Sequence, residues 1–110
     1  MLYTTRFRLK ESLTPKDMVE VNRLIDTKII PAANNVEGVR SSASYQSSNG
    51  ELVMLLDVAD LATVDRILAD KGCQAVFGEL YALCVRTGGE IFFDRPAWQA
   101  LYGKSSSQSA

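Results

Sequence analysis

Histidine is absent from this 110-residue chain, which removes the commonest general base and metal ligand at the outset. Triad hydrolysis, histidine-ligated haem and most zinc chemistry lose their usual side chain, so no metal or cofactor is expected. The nucleophiles that remain are Cys73 and Cys84. On one continuous helix their eleven-residue spacing would set them on one face about 16 Å apart, too far to bridge. Each thiol reads either as a reactive group or as a small buried apolar residue, the more frequent use of free cysteine. Arg6, Arg8 and Arg40 offer forked donors for a carboxylate or phosphate, or pair with Asp57 and Glu51 at the surface. Gly88-Gly89 lacks the lysine and the helix of a phosphate loop and reads as a turn.

The other chemistry-bearing set is aromatic. Phe7, Tyr45, Phe77 and Tyr81, together with Met54, would line a pocket for a flat apolar molecule if the fold gathered them between helices and a sheet. Tyr45 would then supply an orienting hydroxyl. The competing reading is that these side chains fill the core. Trp98, within "DRPAW", either rims a pocket mouth with Asp94, Arg95 and Pro96 or folds down as a lid over the C-terminal segment.

The elements that must position these residues are read from period and punctuation. "LYTTRFRLK" alternates, with Tyr3, Thr5, Phe7 and Leu9 on one face and Thr4, Arg6, Arg8 and Lys10 on the other, which predicts a strand. In "SLTPKDM", Thr14 fits an N-cap, Pro15 the first helical position and Asp17 the third, with Leu13 and Met18 placed as a hydrophobic staple. Met18, Val21, Leu24, Ile25 and Ile29 form an apolar stripe. Pro31 should end or bend that helix near Ile30, with one more turn through Ala32 and Ala33. After Gly38, "VRSSASYQ" alternates with Val39, Ala43 and Tyr45 on one side, and "SSNG" makes a hairpin into "ELVMLLDVAD". That return strand is apolar on both faces and belongs in the middle of a sheet. Asp60 caps a second helix that Gly72 is expected to end. "CQAVFGELYALCVR" reads as a short helix, with residues 82–86 open between helix and strand. "EIFFDR" is the last strand and "PAWQALYG" one helical turn.

The order is β-α-β-β-α-β, an α+β, ferredoxin-like sandwich with an antiparallel four-stranded sheet and helices on one face. Residues 1–102 read as one domain, and "KSSSQSA" within 103–110 as a disordered tail. Leaving Val53 and Leu55 on the uncovered face is unfavourable unless a second sheet covers them, so a homodimer joined through sheet faces is expected, with Asp57 paired to Arg6 or Arg8 there. Twelve basic and thirteen acidic residues give a net charge of −1 with no basic stripe, which removes the electrostatic footprint of nucleic-acid binding. The run "ELVMLLDV" also lacks an aromatic on which a base could stack. No apolar run approaches the length that spans a bilayer, and a soluble, cytoplasmic protein is expected.

With those elements in place, "IIPAANNVEGVRSSASYQSSNGELVMLLDVADLATVDRIL" resembles the dimeric α+β barrel superfamily, and within it the antibiotic-biosynthesis-monooxygenase-like proteins and their relatives. The Pro31 bend, the Gly38-Val39 strand start, the Asn49-Gly50 hairpin and the helix after Asp60 carry the resemblance. It implies a barrel made by two copies and a family that includes cofactor-free oxygenases, haem enzymes, isomerases, degradation enzymes and proteins without assigned activity. Many members use a histidine or a tryptophan in the second half of the chain. Here histidine is missing and Trp98 lies beyond the last strand, so the resemblance carries no catalytic set across. The aromatic set and the absence of a converging acid-base pair point to a dimer that binds a small apolar or aromatic organic molecule; the resemblance implies, as the alternative, a cofactor-independent monooxygenase-like or isomerase-like activity on an aromatic metabolite.

Overall fold

A computed structural model describes residues 1–11 and 14–100. Leu13, and with it the staple to Met18, lies outside the described residues, as does the tail. Strands β1 (Leu2–Leu9), β2 (Val39–Gln46), β3 (Leu52–Val58) and β4 (Cys84–Phe92) form one sheet in the order β2-β3-β1-β4. Every pairing is antiparallel. Helices α1 (Pro15–Leu24), α2 (Ile30–Asn34), α3 (Leu61–Ala69), α4 (Lys71–Tyr81) and α5 (Arg95–Trp98) accompany it, giving the expected ferredoxin-like α+β arrangement. Among the described residues no helix is long and apolar enough to cross a membrane.

The first helix begins where its cap requires. Asp17 donates its amide to Thr14 Oγ1 (3.3 Å) and accepts from the Thr14 amide (2.9 Å), so two otherwise unpaired donors are satisfied reciprocally. The expected bend at Pro31 takes a definite form. Residues Ile25–Ile29 make a π-helical turn between α1 and α2, closed by the Ile30 amide donating to the Ile25 carbonyl. Pro31 has no amide to give and its ring would meet the carbonyl four residues back, and widening the preceding turn relieves that conflict without ending the helix. Val21, Leu24, Ile25 and Ile29 stay buried through the bend.

In β3, Leu52, Met54, Leu56 and Val58 are buried against the helices while Val53, Leu55 and Asp57 remain half-buried on the opposite face. The alternation read from β1 also holds: Tyr3, Thr5 and Phe7 face the helices opposite Leu56, Met54 and Leu52. Two readings of the second half are corrected. The break between α3 and α4 falls at Asp70, which caps α4 by accepting from the Cys73 amide (2.8 Å); Gly72 lies inside α4 and ends nothing. Gly88 and Gly89 are within β4 opposite Arg6 and Thr5, so the long last strand starts at Cys84 and residues 84–86 are strand. No turn is needed there, because α4 reverses at Ala82 and Leu83, whose amides return to the Glu79 and Leu80 carbonyls.

Candidate functional site: a cavity between α3, α4 and the sheet

The face of the sheet that carries Tyr3, Thr5 and Phe7 is only partly filled where α3 meets α4. A cavity of about 320 Å³ lies there, lined by β1, by Leu56 of β3, by Ile67 and Leu68 of α3, by Cys73, Gln74, Phe77 and Tyr81 of α4, and by Arg86 of β4. Its size falls at the small end of ligand pockets. One wall is aromatic: the Phe7 and Phe77 rings stack at 6.2 Å with 22° between planes, and Tyr81 tilts against Phe7 at 6.0 Å. These are spacings at which ring pairs attract beyond their area. No residue of α1 lines it; Val21, Ile25 and Ile29 are buried in the hydrophobic core instead.

Phe7, Phe77 and Tyr81 thus stand together as expected. Met54 is fully buried in the core beneath them and does not line the cavity. Tyr45 is on the other face of the sheet, opposite Val53, and 58% exposed. The cause is a register shift between Val39 and Ser41: Val39 pairs with the buried Val58, but the extra residue Arg40 turns Ala43 and Tyr45 to the outer side. Trp98 packs on Phe93 (5.6 Å) and lines a separate groove with Ile91, Phe92, Arg95 and Gln99. Arg6, Arg8 and Asp57 lie on the outer face. There Arg6 pairs with Glu90 (3.4 Å), not with Asp57, whose partner is Arg40 (3.9 Å). Arg8 sits opposite Val85. The expectation of an Asp57 pair with Arg6 or Arg8 is therefore replaced by two pairs that join neighbouring strands.

Sequence reasoning missed the polar part of the cavity, which comprises Tyr3, Thr5, Gln74 and Arg86. Thr5 carried a signal, being the one hydroxyl on the apolar face of β1 apart from the Tyr3 phenol. Arg86 carried none while residues 82–86 stayed open between helix and strand. Burial raises the Tyr3 phenol above its ordinary range; the Arg86 charge opposes that shift and Tyr81 adds to it. Burial, and then the hydrogen bond and charge of Asp70, push the Cys73 thiol up to about 11. Cys84 is raised by burial, with Lys10 opposing. At neutral pH both thiols are protonated and buried, which fits the apolar reading of the cysteines and leaves neither as a nucleophile. Among the described residues the cavity consequently offers hydrogen-bond donors, one cation, and neither a carboxylate nor an imidazole to act as a general base. Among the described residues, no group of three metal-ligating side chains converges.

No protein-family model matches the chain, and comparison with curated proteins finds no match. Solved structures do match in shape. A mutant form of SnoaB from Streptomyces nogalater, described as a cofactor-independent oxygenase, superposes with a TM-score of 0.70 at 16% identity, covering 86% of this chain and 91% of that one. A conserved protein from Methanosarcina mazei Go1 gives 0.70 at 18% identity over 86% and 91%. A structure described as an antibiotic biosynthesis monooxygenase gives 0.63 at 15% identity over 86% and 97%. The chain shares its ferredoxin-like α+β fold with these solved structures, antibiotic biosynthesis monooxygenases among them, which is the likeness carried in its sequence by the Pro31 bend, the hairpin and the order of elements.

Proposed function

We propose that this protein binds a small, flat, apolar or aromatic organic molecule in the cavity between α3, α4 and the sheet, and does so as a homodimer joined through sheet faces. The observation that carries the reading is the cavity itself, walled on one side by the stacked Phe7 and Phe77 rings and by aliphatic side chains. Such a wall suits a ring system, and the Tyr3, Thr5 and Tyr81 hydroxyls suit its polar substituents. Thermal shift with a panel of phenols, quinones and aromatic acids tests it: a Tm rise that Phe77→Ala abolishes supports the reading, and a flat response across the panel overturns it.

A second reading, a cofactor-independent monooxygenase-like or isomerase-like enzyme acting on an aromatic metabolite, is favoured by the fold shared with SnoaB, itself described as a cofactor-independent oxygenase. Ligands that shift Tm are then incubated aerobically and followed by oxygen uptake and mass spectrometry. Product formation supports the enzyme; binding without product supports the binding protein.

A further inference from the structure

We propose that the cavity selects organic anions, specifically ring-bearing carboxylates, with the carboxylate held by Arg86 and the Thr5 hydroxyl; this rests on the reading that the cavity receives an aromatic molecule. Among the described residues that line the cavity, Arg86 is the only formally charged one. Arg6, Arg23, Arg40 and Arg66 each pair with a carboxylate, whereas Arg86 has no ion-pair partner among the described residues. Its guanidinium lies across Gly89: a Cβ there would sit 2.6 Å from Nη2 and 2.9 Å from the Thr4 carbonyl oxygen. The bare backbone at Gly89 therefore lets the guanidinium lie along the strand within the cavity wall.

Gly89 is the register partner of Thr5. Thr5 is 5% exposed, lines the same cavity, and its Oγ1 has no hydrogen-bond partner among the described residues. A buried hydroxyl left unpaired is costly, and a ligand oxygen lying beside the guanidinium would accept from it. The pairing favours a carboxylate over a phenolate: a planar fork of donors matches two oxygens, and the Thr5 hydroxyl adds a third donor from the side. The Phe7 and Phe77 rings then take the hydrocarbon part.

The test is isothermal titration of the full chain with 2-naphthoate, its neutral isostere 2-naphthamide, and 2-naphthol above its own pKa. Wild type is expected to bind 2-naphthoate at least about tenfold more tightly than 2-naphthamide, the discrimination of one charge-assisted hydrogen-bonded contact. Arg86→Met should erase that preference, and Thr5→Val should weaken 2-naphthoate several-fold. Equal affinities for acid and amide in wild type overturn the proposal while leaving the aromatic cavity standing, and a preference for naphtholate over naphthoate overturns the carboxylate assignment. A preference that persists in Arg86→Met overturns the role of Arg86. No binding by any of the three overturns both this inference and the reading beneath it. The wild-type comparison decides the matter even if a variant does not fold.

Discussion

Thr5 holds a position that a valine would fill with less conflict. Its side chain belongs to the face of β1 turned to the helices, yet its hydroxyl is buried with no partner among the described residues, and such a group costs roughly 1–3 kcal/mol. Thr5→Val keeps the shape and removes the orphan, so urea denaturation should show the ligand-free variant more stable by about 1 kcal/mol. A loss of stability would mean that the hydroxyl is satisfied and would weaken its assignment to a ligand. Cys73 gives a second residue-scale expectation. Its thiol titrates near 11 in the folded chain against about 8.5 when unfolded, so the folded state keeps a proton that the unfolded state has released. The contribution is complete below the unfolded value and is lost as pH rises through the folded one; Tm should therefore fall between about pH 8.5 and 11. Iodoacetamide at pH 8 should label native protein slowly and unfolded protein quickly, and fast native labelling would show that the thiol is not buried. At this scale the aromatic wall of the candidate site was legible, because Phe7, Phe77 and Tyr81 follow simple periods. Tyr45 was not, since one extra residue at Arg40 reverses the parity of everything after it in β2.

Elements are set by caps and by the close approach of backbones, and glycine separates the two causes. Gly38 and Gly50 both have positive φ, 96° and 88°. A Cβ at Gly50 meets nothing within 4 Å, while one at Gly38 would lie 2.2 Å from Thr63 Oγ1 and 2.8 Å from Arg66 Nη2. Thr63 is fully buried and its hydroxyl donates to Asp60 Oδ1 (2.7 Å), the cap of α3. Arg66 in turn donates to the Glu37 carbonyl (3.0 Å). Gly50→Ala should therefore cost only the backbone strain, about 1–2 kcal/mol, and Gly38→Ala should cost about 3 kcal/mol or more because a packed cap must also shift. Chemical denaturation of the two variants compares them directly; equal losses would show that the Gly38 turn does not lock α3 to the sheet. The same distinction explains what the sequence reading reached. Thr14-Pro15-Asp17 and Asp60 announce their helices through side chains that act within a turn, so they were legible. Gly72 and Gly88-Gly89 were misread as breaks because glycine in a chain signals a turn, whereas Gly89 is needed for space beneath Arg86, a demand that exists only after distant strands meet.

At the scale of the molecule, the sheet has one covered face and one open one, and the open face is built from mixed materials. Val53, Leu55 and Ala43 are only half-buried, and Tyr45, Val85 and Phe92 are exposed beside them. Across this surface Arg6–Glu90 and Arg40–Asp57 are already paired within the chain. That arrangement lowers the cost of covering the face, because a charge that has its counterion is far cheaper to remove from water than one without. Hydrophobic side chains then dominate the balance when a second sheet is laid on top, and a domain of this size gains from such cover. Sedimentation at tens of micromolar should accordingly give twice the 12.1 kDa chain mass. Leu55→Glu would place a carboxylate among the residues that must be desolvated, at a cost of several kcal/mol, enough to shift a dimer of ordinary affinity to monomer. Val19→Glu, at a position 68% exposed on α1 and away from the sheet, is the control and should leave the mass at the dimer value. The cavity opens on the opposite side of the sheet from this face, so 2-naphthoate affinity in Leu55→Glu reports whether binding requires the pair. Unchanged affinity in a monomer would place recognition wholly within one chain, while a wild type that sediments at 12.1 kDa would leave Val53 and Leu55 as tolerated surface residues and remove the homodimer from the proposed function.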